Sequence, residues 1–283
     1  MTPTPEVLLD GLVFPEGPRW RDGKLWFSEM SARQVMTVDP AGRSEVVVHV
    51  PERPSGLGFL ADGALLIVST LDCRLVRFDS AGLRTVADLS VIGVVNPNDM
   101  VVDGQGRAYI GDIGFDDTAS PFVPKPGNIA LVTPDGDVRV AADDLRFPNG
   151  MAITPDGKTL IVAETLGAGL IAFDIAPDGS LSGRRTFAEL PGTTPDGVCL
   201  DADGAVWLGS PLSSEFIRVK DGGDVTHRVP VPGKWAVACM LGSEDRRTLF
   251  LCTAQTTLQD LAQGKSTGWI EVVRVEVPGA GYP

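Results

Sequence analysis

The feature that constrains this chain most is an internal repeat, in which a turn and a short apolar run recur six times. Typical copies read RDGKLWFS, ADGALLIVS and PDGKTLIVAE. Neighbouring copies lie 40 to 51 residues apart, and a period of about 45 residues is typical of the four-stranded blade of a propeller. The turn positions are Gly23, Gly63, Gly106, Gly157, Gly204 and, in the sixth copy, Arg246.

A second set of turns lies between these copies, in VDPAG, FDSAG, TPDG, IAPDG and KDGG. Each follows a short alternating run, so the two sets together predict four antiparallel strands per repeat. No segment long enough for a crossover helix intervenes, which disfavours parallel α/β folds. We therefore predict an all-β chain, with residues 1–283 forming one six-bladed β-propeller domain and less than about a tenth of them helical. Residues 6–12 are expected to pair with the C-terminal strand at 269–277 and close the ring.

Aligned on their turns, the repeats differ at one column near the start of each first strand, in FPEG, RPSG, NPND, FPNG and TPDG. Innermost strands line the channel of a propeller, so the larger polar side chains of this column are expected to converge. Asn-Gly and Asp-Gly are also common hairpin turns, but here the hairpin turn comes about eight residues later. Ser55 and Ala238 are expected to contribute least. In order, the column holds Glu16, Ser55, Asn98, Asn149, Asp196 and Ala238.

Converging carboxylates and amides predict a divalent-metal site. Two carboxylates close to each other repel unless a cation neutralises them, and oxygen ligands without imidazole or thiolate suit Ca²⁺, Mg²⁺ or Mn²⁺. His49 and His227 are the only histidines. This excludes a zinc site made of several histidines and leaves little from which to build a Ser-His-Asp triad.

Composition limits the partners and the location of the protein. With 24 Lys and Arg against 37 Asp and Glu, the formal net charge of −13 would repel nucleic acid and anionic membranes. No apolar run reaches the ~20 residues needed to cross a bilayer, and the first residues lack the order of a signal peptide. Four scattered cysteines indicate reduced thiols. We expect a cytoplasmic protein that acts on a small molecule, with no obligate protein partner.

Two long loops are expected to open on the same rim as the polar column, at 113–128 and 254–268. Long loops in a compact repeat fold often form binding walls. The first mixes aromatic, Pro and acidic residues, and we predict that Phe115, together with Asp112 just before the loop, contacts the substrate. The second is expected to hold one helical turn.

The motifs resemble a known family. FPEGPRW, NPND followed by VVDGQGRAYIGD, FPNGMAITPDGKTLIVAET and TPDGVCLDADGAVWLG are similar to those of the senescence-marker protein, gluconolactonase and luciferin-regenerating-enzyme family. The resemblance implies a six-bladed propeller with one axial divalent cation, commonly Ca²⁺, with Mg²⁺, Mn²⁺ or Zn²⁺ as alternatives, and hydrolysis of lactones. It also implies that Glu16, Asn149 and Asp196 bind the metal, with Asn98 as a further ligand or a substrate contact.

One position departs from the pattern. Sugar-lactone hydrolases of this family typically carry an Arg two residues before the Asn of the NPND motif, where it binds substrate hydroxyls. This chain has Asn96 there. The resemblance therefore implies a lactone other than a simple sugar lactone, with Asn96 and Asn98 among the substrate contacts.

The predicted catalytic residues are Asp196, as the general base toward water, and Asn98, while the cation acts as a Lewis acid on the lactone carbonyl. An organophosphate or aryl-ester hydrolase would use the same metal and the same base. A propeller that binds a metal or ligand without turnover is a second alternative. A metal-free condensing enzyme like the strictosidine synthases is the third, and the retained Glu16, Asn149 and Asp196 argue against it.

Overall fold

The short apolar runs between the turns form strands, and the strands form six four-stranded antiparallel sheets, or blades. The structure is a computed structural model, and it describes residues 4–116 and 123–281. The chain begins with β1 (Glu6–Leu12). Blade 1 contains β2 (Pro15–Arg21), β3 (Lys24–Glu29), β4 (Gln34–Val38) and β5 (Ser44–His49). Blade 2 contains β6 (Pro54–Phe59), β7 (Leu65–Ser69), β8 (Arg74–Asp79) and β9 (Gly82–Asp88). Blade 3 contains β10 (Pro97–Val102), β11 (Ala108–Asp112), β12 (Gly127–Val132) and β13 (Val138–Leu145).

The remaining blades repeat this order. Blade 4 contains β14 (Pro148–Ile153), β15 (Thr159–Glu164), β16 (Gly169–Ile175) and β17 (Leu181–Glu189). Blade 5 contains β18 (Val198–Leu200), β19 (Val206–Ser210), β20 (Glu215–Val219) and β21 (Val225–Pro230). Blade 6 contains β22 (Trp235–Gly242), β23 (Thr248–Gln255) and β24 (Thr267–Arg274), with β1 as its outer strand.

The ring closes as the sequence predicts. β1 pairs antiparallel with β24, from Glu6 opposite Val272 to Leu12 opposite Gly268. The first strand of each blade lies beside the first strand of the next, and β22 lies beside β2. The six-bladed β-propeller is therefore confirmed, and its innermost strands surround one axis.

Helix is nearly absent from the part of the chain that the structure describes. It consists of a 3₁₀ turn at Leu89–Ile92 and α1 (Leu258–Ala262), which confirms the predicted helical turn in the 254–268 loop. Neither of these described helices has the length and apolar character that crossing a bilayer requires.

The core lies between the faces of neighbouring blades. Trp20 stacks on Phe250 with ring centroids 5.2 Å apart, which joins blade 1 to blade 6. Trp26 meets Phe59 edge to face at 5.2 Å and joins blade 1 to blade 2. These aromatic pairs pack the blades together, while the hairpin turns lie outside the core. At the sixth turn Arg246 adopts φ 55°, the left-handed conformation that Gly provides in the other copies.

The glycine that follows most residues of the polar column is required by close packing between blades. A Cβ on Gly150 would lie 2.5 Å from the carbonyl oxygen of Asp196 and 2.6 Å from the backbone nitrogen of Val198. A Cβ on Gly17 would lie 2.8 Å from the carbonyl oxygen of Ser55. These Gly residues therefore allow one inner strand to approach the next, and they do not form hairpin turns.

Candidate active site

The polar column lies at the start of the inner strands, on one rim of the propeller. Its side chains are all buried, and those of the four predicted ligands are only 4 to 8% exposed. Each blade contributes one column residue because the repeat places equivalent positions at equivalent depths. Glu16 lies on β2, Ser55 on β6, Asn98 on β10, Asn149 on β14 and Ala238 on β22, while Asp196 comes two residues before β18.

Hydrogen bonds connect the column from blade to blade. The Ser55 hydroxyl oxygen lies 2.9 Å from Glu16 Oε2 and 2.6 Å from Asn98 Oδ1. Asn98 Nδ2 lies 3.3 Å from Asn149 Oδ1, and the Asn149 side chain lowers the pKa of the Asp196 carboxyl. The structure thus brings the four predicted ligands together. Ser55, which is expected to contribute least, contacts two of them.

Thr165 supports this arrangement from the loop after β15. Its hydroxyl oxygen accepts a hydrogen bond from the Asn149 amide at 3.2 Å and donates one to the carbonyl of Pro195 at 2.7 Å. It therefore links Asn149 to the segment that carries Asp196. Repeat alignment could not find Thr165, because the residue lies outside the column.

Asp196 has a strongly perturbed carboxyl group. Burial raises the pKa of its carboxyl well above the usual range, and the negative charges of Glu16 and Asp99 raise it further. Hydrogen bonds from the Asn149 side chain and the Gly197 backbone offset part of this shift. Its Oδ1 atom is buried and has no hydrogen-bond partner within the described residues. A buried carboxylate oxygen of this kind calls for a proton or a cation.

These residues fit a hard divalent cation. The donors are two carboxylates and two amide oxygens, the ligand chemistry that Ca²⁺ accepts, and the buried Oδ1 of Asp196 provides an acceptor without another partner in the described chain. Across residues 4–116 and 123–281, no three His, Cys, Asp or Glu side chains cluster so as to hold a metal. A cation here would therefore need the amide oxygens of Asn98 and Asn149 in addition to the carboxylates.

Arg19 and Asp99 form a buried ion pair in the channel that sequence analysis missed. Arg19 Nη2 lies 3.9 Å from Asp99 Oδ1, and both side chains are buried. Arg19 Nη1 donates to the carbonyl of Pro18 at 2.7 Å, and Nη2 donates to the carbonyl of Met100. Burial lowers the pKa of Arg19 and raises that of Asp99, where the charge of Arg19 acts in the opposite direction. The signal was available, since Asp99 stands where most repeats have Gly.

Asp112 organises the loop that carries Asn96. Its Oδ1 accepts three backbone N–H groups, among them that of Asn96 at 2.9 Å. The Asn96 side-chain amide donates to the carbonyl of Phe115 at 3.1 Å. The Phe115 ring packs edge to face on Phe147, with centroids 5.8 Å apart. The structure thus groups Asn96, Asp112 and Phe115, and their contact with substrate stays a prediction.

Two other blades use an acid in the same way as Asp112. Glu29 ends β3 and accepts the backbone N–H groups of Val13 and Phe14 at 3.0 and 2.9 Å. Glu164 ends β15 and accepts the N–H of Arg146 at 2.7 Å. All three acids lie opposite the proline that begins the inner strand of their own blade. An acid at this position therefore holds the loop that leads into a column residue.

The predicted binding walls are described only in part. Residues 117–122 of the 113–128 loop lie outside the described residues. The 254–268 loop carries α1, where the Thr257 hydroxyl accepts the N–H of Asp260 at 3.1 Å and caps the helix.

Comparison with known proteins gives a consistent result. Residues 14–255 match the family model SMP-30/Gluconolactonase/LRE-like region. A 6-deoxy-6-sulfogluconolactonase of Pseudomonas putida is 25% identical over 279 residues, which span 96% of this chain and 94% of that protein. A solved luciferin-regenerating enzyme has a TM-score of 0.84 at 19% identity, covers 98% of this chain and 97% of its own, and shows likeness of fold. A regucalcin from Agrobacterium tumefaciens, described as a calcium-binding protein, has a TM-score of 0.76 at 25% identity and covers 95% and 94%.

Proposed function

This chain belongs to the SMP-30/Gluconolactonase/LRE-like family, and we propose that it is a metal-dependent lactonase whose active site is the column of Glu16, Asn98, Asn149 and Asp196. The observation that carries the proposal is the convergence of these four side chains from four blades at one buried rim, with Asp196 Oδ1 lacking a hydrogen-bond partner in the described chain. The relative named 6-deoxy-6-sulfogluconolactonase supports the reaction class.

Glu16, Asn149 and Asp196 would hold one divalent cation, with Asn98 as a fourth ligand or a contact to the substrate. Donors that are all hard oxygens argue against Zn²⁺, and we choose Ca²⁺ over Mg²⁺ and Mn²⁺ because the similar regucalcin is described as calcium-binding. When bound, the cation would supply Lewis acidity toward the lactone carbonyl and offset the negative charge that develops there.

Asp196 is suited to act as the general base toward water. Beside a bound cation the Asp196 carboxylate would stay ionised, and an ionised carboxylate can accept a proton from water. The oxygen of that water bonds to the acyl carbon, and the bond between the acyl carbon and the ring oxygen breaks. The ring oxygen takes up the proton that Asp196 received, which regenerates the base and gives a hydroxy acid. The Asn149 side chain lowers the pKa of Asp196 and so favours the ionised form that accepts the proton.

The substrate that we propose is a lactone with fewer hydroxyl groups than a simple sugar lactone. The Asn96 side chain donates to the carbonyl of Phe115, and the Phe115 ring packs on that of Phe147. We propose a less hydroxylated ring because the Asn96 amide donates to the Phe115 carbonyl and has fewer N–H groups than the guanidinium that the family typically carries at this position.

We also propose that the protein works in the cytoplasm. All four cysteines are free thiols, and Cys199, Cys239 and Cys252 are buried. Free thiols in this number agree with a reducing compartment.

A hydrolysis screen with a pH indicator tests the function. Sugar, aliphatic and aryl lactones, aryl esters and organophosphates are offered to the protein with chelator and then with each cation restored. We expect turnover of aliphatic lactones that chelator abolishes and Ca²⁺ restores. Turnover of aryl esters or organophosphates alone would replace the proposal by that hydrolase activity. Cation binding without turnover of any compound would make the protein a binding propeller.

A further inference from the structure

Ser55 occupies the column position of blade 2 and touches the predicted ligands on both sides. Its side chain is fully buried on β6, between Glu16 of blade 1 and Asn98 of blade 3. Its backbone is held in place, since the Ser28 hydroxyl donates to the Ser55 carbonyl at 2.5 Å. The hydroxyl therefore has a defined position from which it can act on both neighbours.

The number of available protons restricts how this contact can be made. A serine hydroxyl has one proton, so it cannot donate both to Glu16 Oε2 at 2.9 Å and to Asn98 Oδ1 at 2.6 Å. The carboxylate is the stronger acceptor, because a hydrogen bond to an ionised group is about twice as strong as a neutral one. If the proton goes to Glu16, an oxygen of Ser55 faces an oxygen of Asn98 without a hydrogen between them.

Turning the Asn98 amide by half a turn removes this conflict. The two orientations have the same shape, and the hydrogen-bond network decides between them. In the turned orientation the amide NH₂ of Asn98 donates to Ser55, and Ser55 donates to Glu16. The Asn98 oxygen then takes the position 3.3 Å from Asn149 Oδ1 that the amide nitrogen has in the other orientation.

The turned orientation is the one that suits a cation. Two oxygens 3.3 Å apart repel each other when nothing lies between them, yet both can lie within the ~2.3–2.6 Å of one Ca²⁺ that its ligands require. We propose that Ser55 is a positioning residue, whose hydroxyl accepts the Asn98 amide so that Asn98 and Asn149 present their oxygens together. This inference rests on the proposed function, because it concerns the same site.

Removal of the hydroxyl should weaken cation binding although Ser55 is not itself a ligand. In Ser55→Ala the turned Asn98 amide has no acceptor, so Asn98 keeps its hydrogen bond to Asn149 and competes with the cation for that oxygen. We expect the Kd for Ca²⁺ to rise about tenfold, the factor that corresponds to one hydrogen bond of ordinary strength.

Calorimetric titration of Ca²⁺ into the chelator-treated full chain tests this. The matched control is Ser69→Ala, which removes another buried serine of blade 2 whose hydroxyl donates to a carboxylate, that of Asp72 at 2.6 Å. We expect Ser69→Ala to bind Ca²⁺ within about twofold of the parent. Thermal unfolding of each apo variant shows that both are folded and measures the stability that each lost.

A double-mutant cycle with Asn98→Ala separates positioning from a general loss of stability. If Ser55 acts through Asn98, Ser55→Ala should lose most of its effect on Kd in the Asn98→Ala background. Equal Kd values in the parent and Ser55→Ala, or an undiminished effect in the Asn98→Ala background, would overturn the inference. Because calorimetry detects binding without turnover, a chain that binds Ca²⁺ but hydrolyses no lactone would refute the proposed function and leave this comparison valid. A parent chain that binds no divalent cation would refute both.

Discussion

Replacing Arg19 by Met should destabilise the protein by about 3–5 kcal/mol, because it leaves the Asp99 carboxylate buried without its counter-charge. Arg19 Nη2 and Asp99 Oδ1 are 3.9 Å apart, and at an effective dielectric constant of about 20 opposite charges at that distance attract by about 4 kcal/mol. The guanidinium also donates to the carbonyl of Met100 on β10, so it links blade 1 to blade 3 across the channel. Met retains the apolar stem of Arg, and the loss therefore reports mainly the charge and its hydrogen bonds.

Urea unfolding at neutral pH, with chelator present, measures this loss. Asp99→Asn removes the buried negative charge, so the double variant Arg19→Met/Asp99→Asn should be about 2–4 kcal/mol more stable than Arg19→Met alone. A loss below about 1 kcal/mol in Arg19→Met would refute the reasoning. So would a double variant no more stable than the single one, since the buried charge would then not be the cause.

Three further predictions concern the column and its supports. In Gly150→Ala the free energy of unfolding, measured in urea, should fall by about 3 kcal/mol, and Ca²⁺ should bind more weakly. The reason is that the new Cβ would lie 2.5 Å from the carbonyl oxygen of Asp196. Gly157 has φ +70° with open space around it, so in Gly157→Ala the free energy of unfolding should fall by about 1–2 kcal/mol while the calorimetric affinity for Ca²⁺ is kept. Equal Ca²⁺ affinities for the two variants would count against the packing argument. In Asp112→Ala the free energy of unfolding in urea should fall by about 1–3 kcal/mol, because three backbone N–H groups lose their acceptor. Asp112→Asn should recover part of this loss, and an alanine variant as stable as the parent would exclude the role of Asp112 in holding the loop. With saturating metal, the kcat of Asp196→Asn in the indicator assay should stay about 10²–10⁴-fold below that of the parent, while the kcat of Glu16→Gln recovers. An equal loss of kcat in both variants would contradict a base role confined to Asp196.

The fold could be predicted from the sequence because each blade is built from local signals. The repeat and its hairpin turns are patterns of residues that lie close together within one sheet. From them we predicted six blades and the pairing of β1 with β24, and the structure has both. The column of Glu16, Asn98, Asn149 and Asp196 followed for the same reason, since a repeat places equivalent positions at equivalent depths on one axis. The structure brings these four side chains together, and their roles stay predictions.

The sequence marks Asp99 as a departure from the repeat, but which side chains pair between blades could not be predicted, because the pairing depends on how closely one blade approaches another. Arg19 reaches Asp99 two blades away, and nothing in the spacing of the repeat indicates that pairing. Thr165 reaches Asn149 and the segment before Asp196 from a loop whose path the repeat does not define.

The sequence by itself determined the number of blades, the closure of the ring and the rim on which the polar residues meet, because these follow from periodic turns and alternating strands. Only the tertiary structure decided that Ser55, the least promising polar residue of the column, lies within hydrogen-bond distance of both Glu16 and Asn98. The physical reason is that a sequence pattern is local, whereas these contacts join residues far apart in the chain. A pattern along the chain records which face of a strand a residue occupies, whereas a hydrogen bond depends on differences of a few tenths of an ångström between strands that only packing sets.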